Sequence, residues 1–274
     1  MNPSSNPPSS QNKAVLVTGA GKRLGREIAL QFARQGWDVA IHYGRSALEA
    51  HEAVAQIEGL GRRAITLQAD LANEGDIKNL FAQVMGHFQS LECLVNSASI
   101  FEYDRANSEV PLTAASLQKH MQVNLAAPIL LAQLMFETHK LRSSEVLQDG
   151  NPFVPAVIQL LDQKLINLNP DYLSYTLSKA ALLSSVEILA RDFAPHVRVV
   201  GLAPGISLPS GDQTEAGFLK AHQMTPLGRS STPEDIAKAA VFLAESNAIT
   251  GTTLYVDGGQ HLLPSARDVM FKTN

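Results

Sequence analysis

Short runs of β-branched and aliphatic residues alternate along the chain with longer stretches whose apolar positions recur every three to four residues. That is the pattern of buried strands followed by amphipathic helices. The spacing predicts strands over 14–18, 38–42, 64–68, 93–96, 156–161, 197–202 and 253–256. Between them it predicts helices over 24–35, 47–58, 74–88, 117–139, 175–193 and 233–245. Strict alternation builds βαβ units, whose helical crossovers make neighbouring strands parallel and cover both sheet faces. The expected fold is α/β: a single-domain, Rossmann-like, doubly wound parallel sheet of seven strands flanked by helices. No linker interrupts the rhythm, so residues 13–274 read as one domain. Two longer loops, 101–115 and 203–223, follow the carboxyl ends of strands, where open α/β sheets bind ligands.

Composition narrows the possible functions. Residues 1–12, MNPSSNPPSSQN, hold neither an apolar run nor a basic segment and read as a disordered tail, not a signal peptide. The balance of 22 Lys+Arg against 26 Asp+Glu, without a basic block, gives no footprint for phosphate backbones, so no nucleic-acid partner is expected. Nowhere do about 18 apolar residues follow one another, so no membrane span is expected either. The single cysteine, Cys93, excludes an intramolecular disulfide and a cysteine-cluster zinc site. It fits a reducing compartment, and a cytoplasmic location is the expectation. Flanked by Leu91, Leu94 and Val95, it reads as a small buried hydrophobe. The eight histidines are scattered without metal-ligand spacing, so no metal is expected.

The first predicted strand runs into Thr18-Gly19-Ala20-Gly21-Lys22-Arg23-Leu24-Gly25 and then a helix. Glycines there let backbone approach a pyrophosphate at a helix N-terminus, which points to a dinucleotide. The second strand ends in His42-Tyr43-Gly44-Arg45-Ser46, with no acid to take a ribose 2′-hydroxyl. Arg23, Arg45, Ser46 and His42 instead offer cations and a hydroxyl to a 2′-phosphate, favouring NADP(H) over NAD. Asp70-Leu71 reads as an adenine contact or, for Asp70, a helix cap. Tyr175 and Lys179 stand four apart and so share one helix face, where an ammonium stabilises a phenolate. By spacing alone, such a pair is also a common feature of helix surfaces.

Taken in order, Thr18-Gly19 with Gly25, Asn96-Ser97-Ala98-Ser99, Asn124, Tyr175-x-x-x-Lys179, Pro204-Gly205 and Asp257-Gly258-Gly259 resemble the short-chain dehydrogenase/reductase family from Lys13 to His261. The resemblance implies that Tyr175 is the general acid/base, that Lys179 binds the nicotinamide ribose and lowers the Tyr175 pKa, and that Asn124 positions a water relay. It adds Gly19, Lys22, Leu24, Tyr43, Asn96, Ala98, Ser99, Pro204, Gly205 and Ser207 to the cofactor contacts, together with Asn124, Tyr175 and Lys179. In the family, helices matching 117–139 and 175–193 build a four-helix subunit interface, which implies a homotetramer. A thickly buried monomer core is the alternative.

Where most members carry a serine thirteen residues before the tyrosine, this chain has Asp162. A carboxylate beside a developing alkoxide opposes it, whereas beside a nitrogen that must gain a proton it helps. Asp162 therefore favours reduction of C=N in an N-heterocycle, unless it merely caps a turn or pairs with Lys164. Arg23 in the glycine-rich turn, Asp162, and Ser99 with Phe101 together resemble the pteridine reductase branch, which includes dihydromonapterin reductases. By that resemblance Phe101 stacks on the pterin, Ser99 bonds the ring or a phosphate, and the substrate contacts are Ser99, Phe101, Asp162 and Tyr175. The expected function is NADPH-dependent reduction of a dihydropterin to a tetrahydropterin. A short-chain reductase of a ketone or 3-oxoacyl thioester is the first rival, and a non-catalytic NADP-binding sensor the second.

Overall fold

The computed structural model describes residues 13–146, 153–209 and 213–273, so the expected tail over 1–12 lies outside the described residues. Seven parallel strands form one sheet in the order β3-β2-β1-β4-β5-β6-β7. They are β1 (Ala14–Val17), β2 (Asp38–Tyr43), β3 (Ala64–Gln68), β4 (Cys93–Asn96), β5 (Ala156–Leu160), β6 (Arg198–Pro204) and β7 (Thr253–Val256). The expected doubly wound architecture is what forms.

The central strands are near-continuous apolar runs because both of their faces are covered. In β1, Val15 and Val17 point to one side, packing with Ile28 and Phe32 of α1 (Arg23–Arg34) and Ile236 and Ala240 of α8 (Pro233–Glu245). Ala14 and Leu16 point to the other, where Leu80 and Val84 of α3 (Glu74–Phe88) and Leu131 and Met135 of α5 (Ala127–Val146) lie. Each such aliphatic side chain contributes about 1.5–3 kcal/mol on burial. Cys93 is buried in this core and burial pushes its thiol pKa up, so it stays an unreactive hydrophobe. Helix α2 (Ala47–Gly59) fills the crossover between β2 and β3.

The expected helix over 117–139 is three pieces: α4 (Ala114–Met121), a π-helical turn over Gln122–Ala126, and α5, which runs on to Val146. The extra residue in the π turn re-aims Asn124, a distortion that hydrophobic periodicity does not register. Loop 203–223 also holds structure that the pattern missed. Thr214 caps α7 (Glu215–Gln223) by accepting from the Gly217 N–H, but nine residues after a Pro-Ser-Gly-Asp stretch are too few to display a period. Helix α6 (Leu173–Phe193) carries Tyr175 and Lys179, and a last turn, α9 (Met270–Thr273), folds back toward it. No helix among the described residues is long and apolar enough to cross a membrane.

Candidate active site

The strand order reverses between β1 and β4, and the loops leaving their carboxyl ends part there to open a crevice. A cavity of ≈ 1390 Å³ occupies it, running from Gly19, Arg45 and Asp70 at one end to Asp162, Tyr175 and Met270 at the other.

At the first end, Gly19 adopts φ +65°, and a Cβ on it would lie 2.8 Å from the Ala98 Cα. A Cβ on Gly25 would lie 2.5 Å from the Gly19 carbonyl oxygen, so glycine is what lets α1 start this close to the turn. Arg23 holds a left-handed φ of 54°, a conformation rare for a non-glycine residue and concentrated at functional turns. The Thr18 hydroxyl oxygen accepts from the Ser97 and Ala98 N–H groups, stitching the turn to the end of β4. The Arg23 guanidinium donates to the Pro209 carbonyl at 2.8 Å, bridging the crevice, and Lys22 pairs with Glu49. Arg45 is exposed at the rim, and Ser46 lies against Gly21. Asp70 accepts from the Ala72 N–H and lines the cavity, so it is both turn cap and wall.

Three expected cofactor contacts, His42, Tyr43 and Asn96, are buried, and of them His42 alone lines the cavity. His42 is buried, its Nδ1 accepts from the Gly19 N–H at 3.1 Å, and its Nε2–H donates to the Ala69 carbonyl at 3.2 Å. Burial lowers its pKa, so it is a neutral buckle under the turn and not a cation for a phosphate. Tyr43 is buried outside the cavity lining. Asn96 is also buried, with its amide donating to the Pro128 carbonyl and Gln159 Oε1. The remaining expected contacts, Lys22, Leu24, Leu71, Ala98, Ser99, Lys179, Pro204, Gly205 and Ser207, line the cavity.

At the second end, the Tyr175 hydroxyl donates to Asp162 Oδ2 at 2.9 Å, and Asp162 Oδ1 accepts from the Lys164 N–H. Burial raises the Asp162 pKa, and burial with the adjacent Asp162 charge raises that of Tyr175 well above its ordinary value. The expected lowering by Lys179 is not seen. Its ammonium sits 6.0 Å from the Tyr175 ring centre and donates to the Leu160 carbonyl at 2.6 Å, while burial brings its own pKa down to about 8. Asn124 lies behind the cavity wall, bracketing Ile100 N–H and C=O with its amide and donating to Ser178 Oγ. Phe101 stacks on Tyr172 at 4.0 Å and meets Tyr175 edge-on at 4.8 Å, while Ser99 is exposed beside it.

Among the lining residues, Asp268, Val269 and Met270 escaped the sequence reading, and Lys164 entered it only as an alternative partner of Asp162. Asp171, fully buried, accepts from Arg267 Nε and the Asp268 N–H, both at 2.8 Å, and thereby lashes the C-terminal segment over the substrate end. The contact spans nearly a hundred residues, and only an unremarked Arg-Asp pair beyond the last strand hinted at it. Chemically, the cavity joins a glycine cradle fit for a dinucleotide to a buried acid pair that holds a proton. Among the described residues no group of three or more His, Cys, Asp or Glu is arranged to hold a metal.

Comparison with known proteins agrees with this geometry. A family model described as enoyl-(acyl carrier protein) reductase, of the short-chain dehydrogenase/reductase group, matches residues 19–261. The chain is 30% identical over 255 residues to a 3-oxoacyl-[acyl-carrier-protein] reductase FabG of Staphylococcus aureus, covering 91% of this chain and 98% of that protein. It is also similar to the crystal structure of FolM Alternative dihydrofolate reductase 1 from Brucella canis complexed with NADP. That match has a TM-score of 0.83 and 34% identity, and covers 94% of this chain and 97% of the other. The landomycin C-6 ketoreductase LanV, solved with NADP and rabelomycin, matches with a TM-score of 0.77 and 28% identity, over 92% and 97% of the two chains.

Proposed function

The chain belongs to the short-chain dehydrogenase/reductase family, and we propose that within it the protein is an NADPH-dependent reductase of pteridines, converting a dihydropterin to a tetrahydropterin. The observation that carries this reading is the Asp162 carboxyl hydrogen-bonded to the Tyr175 hydroxyl. Like charges 4 Å apart repel by ~4 kcal/mol at an effective dielectric of ~20, about a thousandfold in rate if an alkoxide must form beside a carboxylate. A ring nitrogen gaining a proton draws instead on the same pair. The resemblance of this chain to a FolM structure supports the reading, and the NADP in that structure supports the cofactor.

When bound, NADPH supplies the hydride that a ring carbon accepts. The Gly19 and Gly25 turn, with Lys22, Leu24 and Ala98, would hold its pyrophosphate. Arg23, Arg45 and Ser46 would take the 2′-phosphate, and Asp70 with Leu71 the adenine. Pro204, Gly205 and Ser207 would line the nicotinamide, with Lys179 on its ribose. Tyr175 delivers its hydroxyl proton to the ring nitrogen, and Asp162, the hydrogen-bond partner of that hydroxyl, shares in that transfer. Asn124 acts through Ile100 and Ser178, fixing the wall that carries Ser99 and Phe101. Phe101 offers the flat ring an aromatic face. A cytoplasmic location and a homotetrameric assembly belong to the same proposal.

The second reading, reduction of a ketone or 3-oxoacyl thioester, is favoured by the similarity to the Staphylococcus protein. Absorbance loss of NADPH against NADH, on dihydrobiopterin, dihydromonapterin and a panel of ketones and thioesters, separates the two. Pterin-dependent NADPH oxidation is expected. Asp162→Ala is expected to cut pterin turnover ~100-fold or more with NADPH affinity within about threefold. Turnover of carbonyls alone, undiminished in Asp162→Ser, would overturn the proposal. Tight NADPH binding without any turnover would favour the sensor.

A further inference from the structure

Beyond Asp162, the substrate end of the cavity holds a second carboxylate, Asp268, supplied by the C-terminal segment. Its position is built, not incidental. The Asp268 N–H and the neighbouring Arg267 Nε both donate to Asp171, a carboxylate with 0% exposure, so a fully buried charge is spent on holding this segment. Tyr172 adds its hydroxyl to Met270 Sδ at 3.3 Å.

The two oxygens of Asp268 are only partly used. Oδ1 accepts from the Met270 N–H at 3.2 Å, and Oδ2 lies 3.5 Å from the Lys164 ammonium, a loose pair with Asp268 16% exposed. Lys164 is committed elsewhere: it donates to the Asp171 carbonyl at 2.9 Å and sits 5.6 Å above the Tyr172 ring. An ionised carboxylate has about four acceptor sites, so Asp268 retains capacity for a ligand donor. Its place matters as well. The Asp268 charge bears on both Asp162 and Tyr175, so it lies beside that pair in the same cavity. A ring reduced beside Tyr175 therefore brings a substituent within reach of Asp268.

The geometry points to Asp268 as a specificity-determining residue that selects the substrate's ring substituent, accepting hydrogen bonds from a short hydroxylated chain and repelling an anionic one. The assignment rests on the pteridine reading above. Hydroxyl donors satisfy the free acceptor sites, an apolar substituent leaves a partly desolvated carboxylate unpaired, and a carboxylate-bearing substituent meets like charge. Val269 and Met270 line the same cavity.

The test pairs one variant with four substrates. Steady-state KM and kcat are measured for wild type and Asp268→Asn on dihydromonapterin, dihydrobiopterin, 6-methyl-dihydropterin and dihydrofolate. Asn keeps an acceptor for the Met270 N–H, so the segment should stay in place. In the variant, KM for the two hydroxylated pterins is expected to rise about tenfold. KM for 6-methyl-dihydropterin, which has no hydroxyl, should move less than about threefold, and KM for dihydrofolate should fall about fivefold as the repulsion goes. A merely structural role would shift all four together. Equal changes across the four, or none, would overturn the assignment of Asp268 while leaving the pteridine reading intact. Wild-type enzyme inert on all four would overturn both.

Discussion

His42 shows what one residue's surroundings add to its identity. Beside Arg45 and Ser46 in sequence it looks like a phosphate ligand, yet its ring joins Gly19 N–H to the Ala69 carbonyl, tying the β1 turn to the end of β3. Only the sheet order brings those three together, so no local pattern could announce it. Replacing His42 with Phe leaves a buried donor and acceptor unpaired, at about 1–3 kcal/mol each. NADPH affinity, read by nicotinamide fluorescence, is expected to fall about tenfold or more while KM for substrate holds; unchanged affinity would show the buckle to be idle. The pH dependence has a defined sign. Burial lowers the His42 pKa below the ordinary 6.5, so the unfolded chain takes up a proton first as pH falls. The stability from its neutral form is full above about pH 6.5 and declines below it. His42→Phe should remove that acid-side loss in thermal melts at pH 5 to 7. The positions of Gly19, Tyr175 and Lys179 on one cavity, by contrast, were legible because they depend on backbone freedom or on spacing within one helix.

At the scale of elements, the strands were legible almost to the residue because a doubly covered parallel strand must be apolar throughout. What escaped was the joinery between elements. Asp104, in the loop after β4, accepts from the Ser174 N–H at 2.8 Å, the Ser174 hydroxyl and the Ser116 hydroxyl, capping α6 from seventy residues away. Tyr172, the residue preceding that helix, has a left-handed φ of 55° and makes no side-chain cap of its own. Burial raises the Asp104 pKa, but its hydrogen bonds from Ser174 and Ser116 outweigh that and hold it below the ordinary carboxylate value. It stays ionised, and its stabilisation is present above the unfolded carboxylate pKa near 4 and lost as pH falls through the lower folded value. Asp104→Ala removes a cap and strands the buried Ser174 hydroxyl and the partly buried Ser116 hydroxyl, for about 2–3 kcal/mol or roughly 5–10 °C in Tm. Because Tyr175 follows Ser174, kcat is expected to drop more than KM rises. A variant with wild-type melting and kcat would show that the cap holds nothing.

For the whole molecule, α6 presents two distinct faces. Its inner face carries Tyr175 and Lys179, while Leu177, Ala181, Ser184 and Ile188 recur along another stripe, with Leu177 42% and Ile188 63% exposed. Apolar side chains at helical spacing on an outward face are what a second copy of the helix would cover, and small residues between them allow close approach. The sequence offered this face only through the family resemblance, because periodicity cannot distinguish a face turned to its own sheet from one turned to another subunit. The stripe predicts that the 29.5 kDa chain self-associates, and with the family resemblance a tetramer is the species expected in light-scattering chromatography. Ile188→Glu should split it into smaller species by burying an unpaired charge at the contact. The stripe and the catalytic pair share one rigid element, so the dissociated variant is also expected to lose turnover while its NADPH affinity, set on α1 and the strand tips, changes little. A monomeric wild type would sink the assembly. A dissociated variant with full kcat would instead show that α6 keeps Tyr175 and Lys179 in register without help from a neighbour.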